Sequence, residues 1–235
     1  MEQEKKCIIT ITRQFGSLGR PIAKLVSEKL NIQYYDRDIV EQASEQLCLP
    51  VSQIDQLEEK AEKATRNGFM RMMYPLGTQT SAMQNKIFEA QKNIMRFLAE
   101  RESCIIVGRC SDFIFAKNPK SLHIYIYAPY EARLENCVNT LNLSEAEAKR
   151  MIQSVDQARD QYHMHYAGFL PNDPRFKNIM IDSSTFGTNE TADFLADGKL
   201  TLPLNLLLTA GNRIDAANSF SSVHSQREPY ETGTY

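Results

Sequence analysis

The sequence carries almost no charge excess. Its 27 lysines and arginines stand against 29 aspartates and glutamates, a formal net charge of -2 over 235 residues. That removes the electrostatic case for a nucleic-acid polymer or an acidic membrane as the main partner. A small anion held by a local group of arginines stays open. A cysteine framework is missing too. Cys7, Cys48, Cys104, Cys110 and Cys137 are odd in number, scattered, and contain no C-x-x-C pair. They read as reduced thiols, which points to a cytoplasmic protein. No apolar run approaches the length of a membrane span, and Pro203–Ala210, the most apolar part of the tail, is far too short. Met1–Lys6 is too polar for the core of a secretory leader. What is present is an ordinary globular composition, 42% hydrophobic and 24% charged, at a length that suits one α/β domain with an insertion.

The chain alternates short β-branched runs with helical periods. Cys7–Thr12, Ile32–Tyr35, Cys104–Val107, Leu122–Tyr127 and Asn178–Ile181 read as strands. Helical spacing covers Pro21–Leu30, about Ile39–Leu47, Pro50–Lys63, Ser81–Glu102, a segment from Pro129 through Val138, and Ser144 to about Tyr166. Ser144 with Glu147 forms a capping-box pattern, and a last helix is expected from Thr191. Asp36 and Asp38 stand at a helix start, where acids suit the macrodipole. Such alternation predicts a mostly parallel sheet covered on both faces. Ligands then bind beyond the carboxyl ends of the strands. The residues to examine are therefore Arg13–Arg20, Asp36 with Arg37, Gly108 with Arg109, Ala128–Arg133 and Asp182–Ser184. Residues 198–235 show no clear helix or strand pattern and are assigned no function.

The first strand runs into Gln14-Phe-Gly-Ser-Leu-Gly-Arg-Pro21 and then a helix. Strand, glycine turn and helix N-terminus are the context a phosphate-binding loop needs. Against G-x-x-x-x-G-K-[ST], Gly19 is the second glycine, Arg20 takes the lysine position, Gln14 replaces the first glycine and Pro21 the hydroxyl residue. A guanidinium can hold phosphate oxygens with a planar fork. Magnesium would depend on Ser17, on acids elsewhere, or on water and phosphate alone. By itself the loop fits a ligand-free glycine turn equally well. Arg133, Arg150 and Arg159, each taken singly, read as solvated helix arginines paired with Glu131, Glu135 or Asp160. His163 and His165 lie two apart on one helix, point to different sides, and read as surface histidines. Met70–Met73 reads as core filler or a subunit contact, so self-association is left open. Tyr162 and Tyr166 share a helix face and are expected to pack.

Several segments together resemble the cytidylate-kinase-like family of P-loop proteins. They are ITITRQFGSLGRPIAKLVSEKL, QYYDRDIV, IIVGRCSDFIF, IYIYAPYEARLENCV, LSEAEAKRMIQSVDQARDQYHMHYAG and IMIDSSTFG, in the family's order over about residues 7–196. Members usually read G-S-G-G-R in the loop, and Leu18 here stands for a glycine. The resemblance implies a three-layer α/β P-loop NTPase-type fold, a five-stranded parallel sheet with helices on both faces and a helical lid. It implies one kinase domain over 1–197, with an insertion at about 50–102 covering the acceptor and a lid at about 133–175. The implied activity is transfer of the γ-phosphoryl group of ATP, with Mg²⁺, to a nucleoside monophosphate, CMP or dCMP by default. Small nucleotides would be the partners. By the same resemblance Gly16, Ser17, Leu18, Gly19, Arg20 and Pro21 would hold the donor phosphates, and Ser183 and Ser184 would lie beside the adenine. Asp36, Arg37 and Arg109 would face the acceptor with support from Asp112. Arg133, Asp156 and Arg159 would belong to the lid and act with Arg20 in catalysis.

Overall fold

The computed structural model describes residues 6–36, 39, 41, 42, 45 and 81–197. In chain order the elements are β1 (Ile8–Arg13), α1 (Gly19–Leu30), β2 (Gln33–Tyr35), α2 (Ser81–Arg101), β3 (Cys104–Val107) and α3 (Ser111–Ile114). Then come β4 (Ser121–Tyr127), α4 (Tyr130–Asn139), α5 (Glu145–Ala167), β5 (Ile179–Asp182) and α6 (Ser183–Ala196). The five strands form one parallel sheet in the order β2-β3-β1-β4-β5. Among the described residues no helix is long and apolar enough to cross a membrane.

β1 and β3 are buried nearly end to end, because a central parallel strand is covered on both faces. The period of two then sorts the side chains. Ile9 and Ile11 face a core shared with Ile22, Ala23 and Val26 of α1 and with Ala192 and Leu195 of α6. Ile8 and Ile106 face a second core with Ala90, Ile94, Met95 and Leu98 of α2. A third cluster lies away from the sheet. There Phe15, just after β1, sits among Cys137 of α4, Leu143, and Met151, Ile152 and Val155 of α5. This third cluster fastens the α4–α5 pair to the chain that leaves β1.

The expected elements on described residues are present, with shifted ends. Ser144 caps α5, its side chain accepting from the Glu147 amide. The last helix begins at Ser183, eight residues before the position expected from Thr191. Gly187 (φ 80, ψ 178) breaks its geometry inside and hides its period. The four described cysteines, Cys7, Cys104, Cys110 and Cys137, are free thiols. The helix read at Pro50–Lys63, the Met70–Met73 cluster and the tail from 198 lie outside the described residues, as do Arg37 and Asp38.

Candidate functional site

At the carboxyl end of β1 the chain turns through two left-handed residues, Gly16 (φ 77) and Leu18 (φ 55), before α1 begins. Gly16 could not be another residue: a Cβ there would lie 2.7 Å from the carbonyl oxygen of Arg133. Left-handed residues among extended or right-handed ones point successive amides into one concavity. Here the amides of Gly16, Ser17, Leu18 and Gly19 meet no protein acceptor among the described residues. Leu18 occupies the N-cap and supplies no side-chain acceptor, and Pro21 has no amide to satisfy. The start of α1 is thus a set of unfilled donors at the positive end of a helix dipole, which suits an anion.

Arginines surround this turn. Arg20 forks onto Asp36 at the end of β2, Nε to Oδ2 2.5 Å and Nη2 to Oδ1 3.4 Å. Asp36 is buried, and Tyr34 also donates to it at 3.4 Å. Burial alone would raise the Asp36 carboxyl, but Arg13 and Arg20 outweigh it and hold the group below its ordinary range. Burial, together with its neighbour Arg20, pulls the Arg159 guanidinium down to about 10 against the opposing pull of Asp156. Arg109 follows β3 in a run of three left-handed residues, Gly108, Arg109 and Cys110. Such a run in non-glycine residues stores strain, of order 1 kcal/mol each. Among the described residues Arg109 makes no side-chain hydrogen bond or ion pair.

The α4–α5 pair reaches the same turn from the other side. Asp156 accepts the Phe15 amide at 2.7 Å and pairs with Arg133 at 2.5 Å. Arg133 also donates to the Phe15 carbonyl at 3.3 Å, Asn136 to the Gly16 carbonyl at 2.9 Å, and Arg159 to the Arg13 carbonyl at 3.0 Å. The D-x-x-R pair therefore grips the backbone of the turn. Asp156 and Arg133 act on each other and on the backbone of Phe15. The reading of Arg133 as a solvated arginine is corrected: it is buried. Arg150, by contrast, is exposed on α5.

A sequence profile for the cytidylate kinase-like family matches residues 8–185. The chain belongs to that family. A cytidylate kinase of Methanopyrus kandleri is 28% identical over 108 residues, 43% of this chain and 56% of that protein, so the match spans little more than half the length of the relative. An uncharacterized protein from Eubacterium ventriosum has a solved structure that superposes with a TM-score of 0.57 at 24% identity, over 83% of this chain and 97% of that one. The protein TT1252 from Thermus thermophilus superposes at 0.51 with 14% identity, over 84% and 98%. These likenesses show a shared α/β fold.

Within the family frame, several expected site residues are engaged elsewhere. The Ser17 hydroxyl is fully buried and turned to the carbonyls of Gln14 (3.0 Å) and Ile126 (3.2 Å), so it presents nothing to a metal. Among the described residues no three His, Cys, Asp or Glu side chains gather as a metal site. The residues at the turn do not fit a protein-held Mg²⁺. Ser183 is buried and donates to the Ser17 carbonyl at 2.7 Å, tying α6 to the turn, while exposed Ser184 bonds Asp182.

Among the described residues Asp112 makes no hydrogen bond or ion pair with Arg109, which it was expected to support. It is buried against His163 Nε2 at 3.0 Å and against Lys177 Nζ. His163 completes its bonding at the Phe169 carbonyl, 2.7 Å away. The expectation of a surface His163 is corrected, since this face of α5 lies on the α3 segment and the chain before β5; His165 is exposed. Tyr162 and Tyr166 pack against Phe88 as expected, Tyr166 stacked on it at 3.9 Å. Sequence reasoning gave no role to Phe15, Lys177 or Arg13. Arg13 and Phe15 fell within the Arg13–Arg20 stretch marked for examination, and Arg13 had a usable signal of its own: a charge directly before the glycine turn.

Proposed function

We propose that the chain is an ATP-dependent kinase that phosphorylates a nucleoside monophosphate, with CMP or dCMP the preferred acceptor. The observation that carries this is the turn at Gly16–Gly19, with unfilled amides facing a surplus of guanidinium groups, in a chain of the cytidylate kinase-like family. The donor phosphates sit on those amides and on Arg20, with Pro21 bordering them. Asp36 with Arg20, together with Arg109, faces the acceptor, and Arg37 belongs to the same side. Ser183 and Ser184 border the adenine through the turn that Ser183 ties down.

The reaction is a direct in-line transfer. An acceptor phosphate oxygen bonds the γ-phosphorus while the bond to the β–γ bridging oxygen breaks, and ADP leaves. Charge spreads over the moving group, so the protein mainly positions and neutralises it. Arg20, Arg109 and Arg159 supply that neutralisation, and the Arg133–Asp156 clasp fixes the turn that presents the amides. Any Mg²⁺ would have to be held by the nucleotide's phosphates and water, since Ser17 is turned inward, and would supply charge neutralisation there.

A coupled ADP-release assay over CMP, dCMP, UMP, AMP and GMP tests this. Turnover is expected with the cytidine nucleotides first. Activity on another small metabolite and on none of the five would move the acceptor outside the nucleotides. A second reading draws on the inward Ser17 hydroxyl and the fork of Arg20 onto Asp36: a nucleotide-binding protein with weak catalysis. Tight ATP binding without transfer to any acceptor would favour it.

A further inference from the structure

Arg13 ends the central strand, its backbone paired with Ile126 of β4. Its side chain runs through a slot made by two glycines. A Cβ on Gly19 would meet the Arg13 Cβ at 2.7 Å and Cγ at 3.1 Å, and a Cβ on Gly108 would meet Nη1 at 2.4 Å. One glycine opens the helix that follows the amide nest and the other directly follows β3, just before Arg109. The guanidinium therefore lies between the loop side and the β3 side of the site. It is partly buried, and its Nε is fully buried without a hydrogen-bond partner. Among the described residues no carboxylate pairs with it. Its neighbours are Arg159, Arg20 and Arg109, with Asp36 the opposing charge. A buried cation left in this state is costly unless an anion completes it. Two glycines that admit the side chain, and a third side of like charge, make a place for a multiply charged oxyanion.

We propose that Arg13 is a direct ligand of the transferring phosphoryl group, gripping its non-bridging oxygens between the donor and acceptor phosphates. This assignment rests on the kinase reading for the identity of the anion. It needs only a polyphosphate for its test. The fork geometry of a guanidinium suits two oxygens of one phosphoryl group.

Inorganic tripolyphosphate is the probe, read as a thermal shift on the full chain beside Arg13→Met and Arg13→Lys. Methionine keeps an unbranched apolar stem in the slot and removes the charge. Without ligand Arg13→Met should melt no lower than wild type, because an unpaired buried charge has gone. With tripolyphosphate it should lose most of the shift that wild type shows, and Arg13→Lys should recover part of it. In the ADP-release assay Arg13→Met should lower kcat/KM by about 10²-fold or more. An Arg13→Met shift equal to that of wild type, or a wild type that tripolyphosphate does not stabilise, overturns the assignment. Should wild type transfer phosphate to no acceptor yet keep the shift that Arg13→Met loses, the kinase reading fails and the anion assignment stands.

Discussion

Asp112, His163 and Lys177 answer one another, whereas Arg13, Arg20, Arg109 and Arg159 gather near the carboxylate of Asp36. Both groups are charged and largely withdrawn from water. In the first, carboxylate, imidazole and ammonium are matched, and His163 hands its other nitrogen to the Phe169 carbonyl. In the second, four guanidinium groups outnumber, among the described residues, the carboxylates of Asp36 and Asp156 near them, beside four amides that meet no acceptor there. A self-satisfied buried network specifies packing and asks for nothing further. An unsatisfied one of a single sign asks for a ligand of the other sign. Sequence type does not separate them: each mixes acids and bases from distant segments.

The largest effect expected falls on the satisfied group. Asp112→Ala leaves Lys177 as an unpaired buried cation and should cost roughly 3–5 kcal/mol of stability. A urea titration at neutral pH reads this as a lower midpoint. Burial would push the Asp112 carboxyl up, but His163 and Lys177 outweigh it and hold it far below its ordinary value. A depressed acid contributes stability that is present above its unfolded pKa and lost only as the pH falls through the folded one. Acidification toward pH 4 should therefore spare this contribution. If Asp112→Ala keeps its midpoint and instead weakens acceptor binding, the contrast between the two groups breaks and Asp112 belongs to the site.

That contrast also marks what was legible beforehand. β3 was readable to the residue, because Cys104–Val107 is a β-branched run closed by Gly108. The parallel sheet followed from alternation, and the site end of the sheet followed from the topology. The charge pairings did not, because helical spacing reports only neighbours three and four apart. Arg133 and Asp156 meet across 23 positions, and Asp112 and Lys177 across 65. For His163 and His165 the period gave opposite sides but could not say which side met protein. Ser17 had the right type and place for a metal ligand; only its rotamer, set by the Ile126 carbonyl, turned it inward.

The next effect falls on the unsatisfied group. Arg20→Ala should lower kcat by about 10²-fold or more, with stability changed by less than roughly 1 kcal/mol. Asp36 keeps Arg13 and Arg109 as neighbouring charges, so no isolated buried anion is created. Near-normal turnover would remove Arg20 from the chemistry and leave it a structural partner of Asp36. A large loss of stability would mean that the Arg20–Asp36 fork is a packing device, like the Asp112 network.

The smallest effect tests the turn itself. Leu18 is a left-handed residue with a side chain, at the position where the family usually has glycine. Glycine would relieve strain of order 1 kcal/mol there. Leu18 also packs against the core shared by β1, α1 and α6, and removing that partly buried side chain loses apolar contact. The two terms oppose each other, so Leu18→Gly should change stability by no more than about 1 kcal/mol, whereas a well-packed leucine truncated to alanine typically loses 2–5 kcal/mol. The Gly16–Gly19 amides keep their place in the substitution, because the N-cap side chain makes no hydrogen bond to lose. The tripolyphosphate shift should then be retained or modestly increased. A collapse of that shift with unchanged stability would show that the leucine side chain, and not the backbone it bends, holds the nest open.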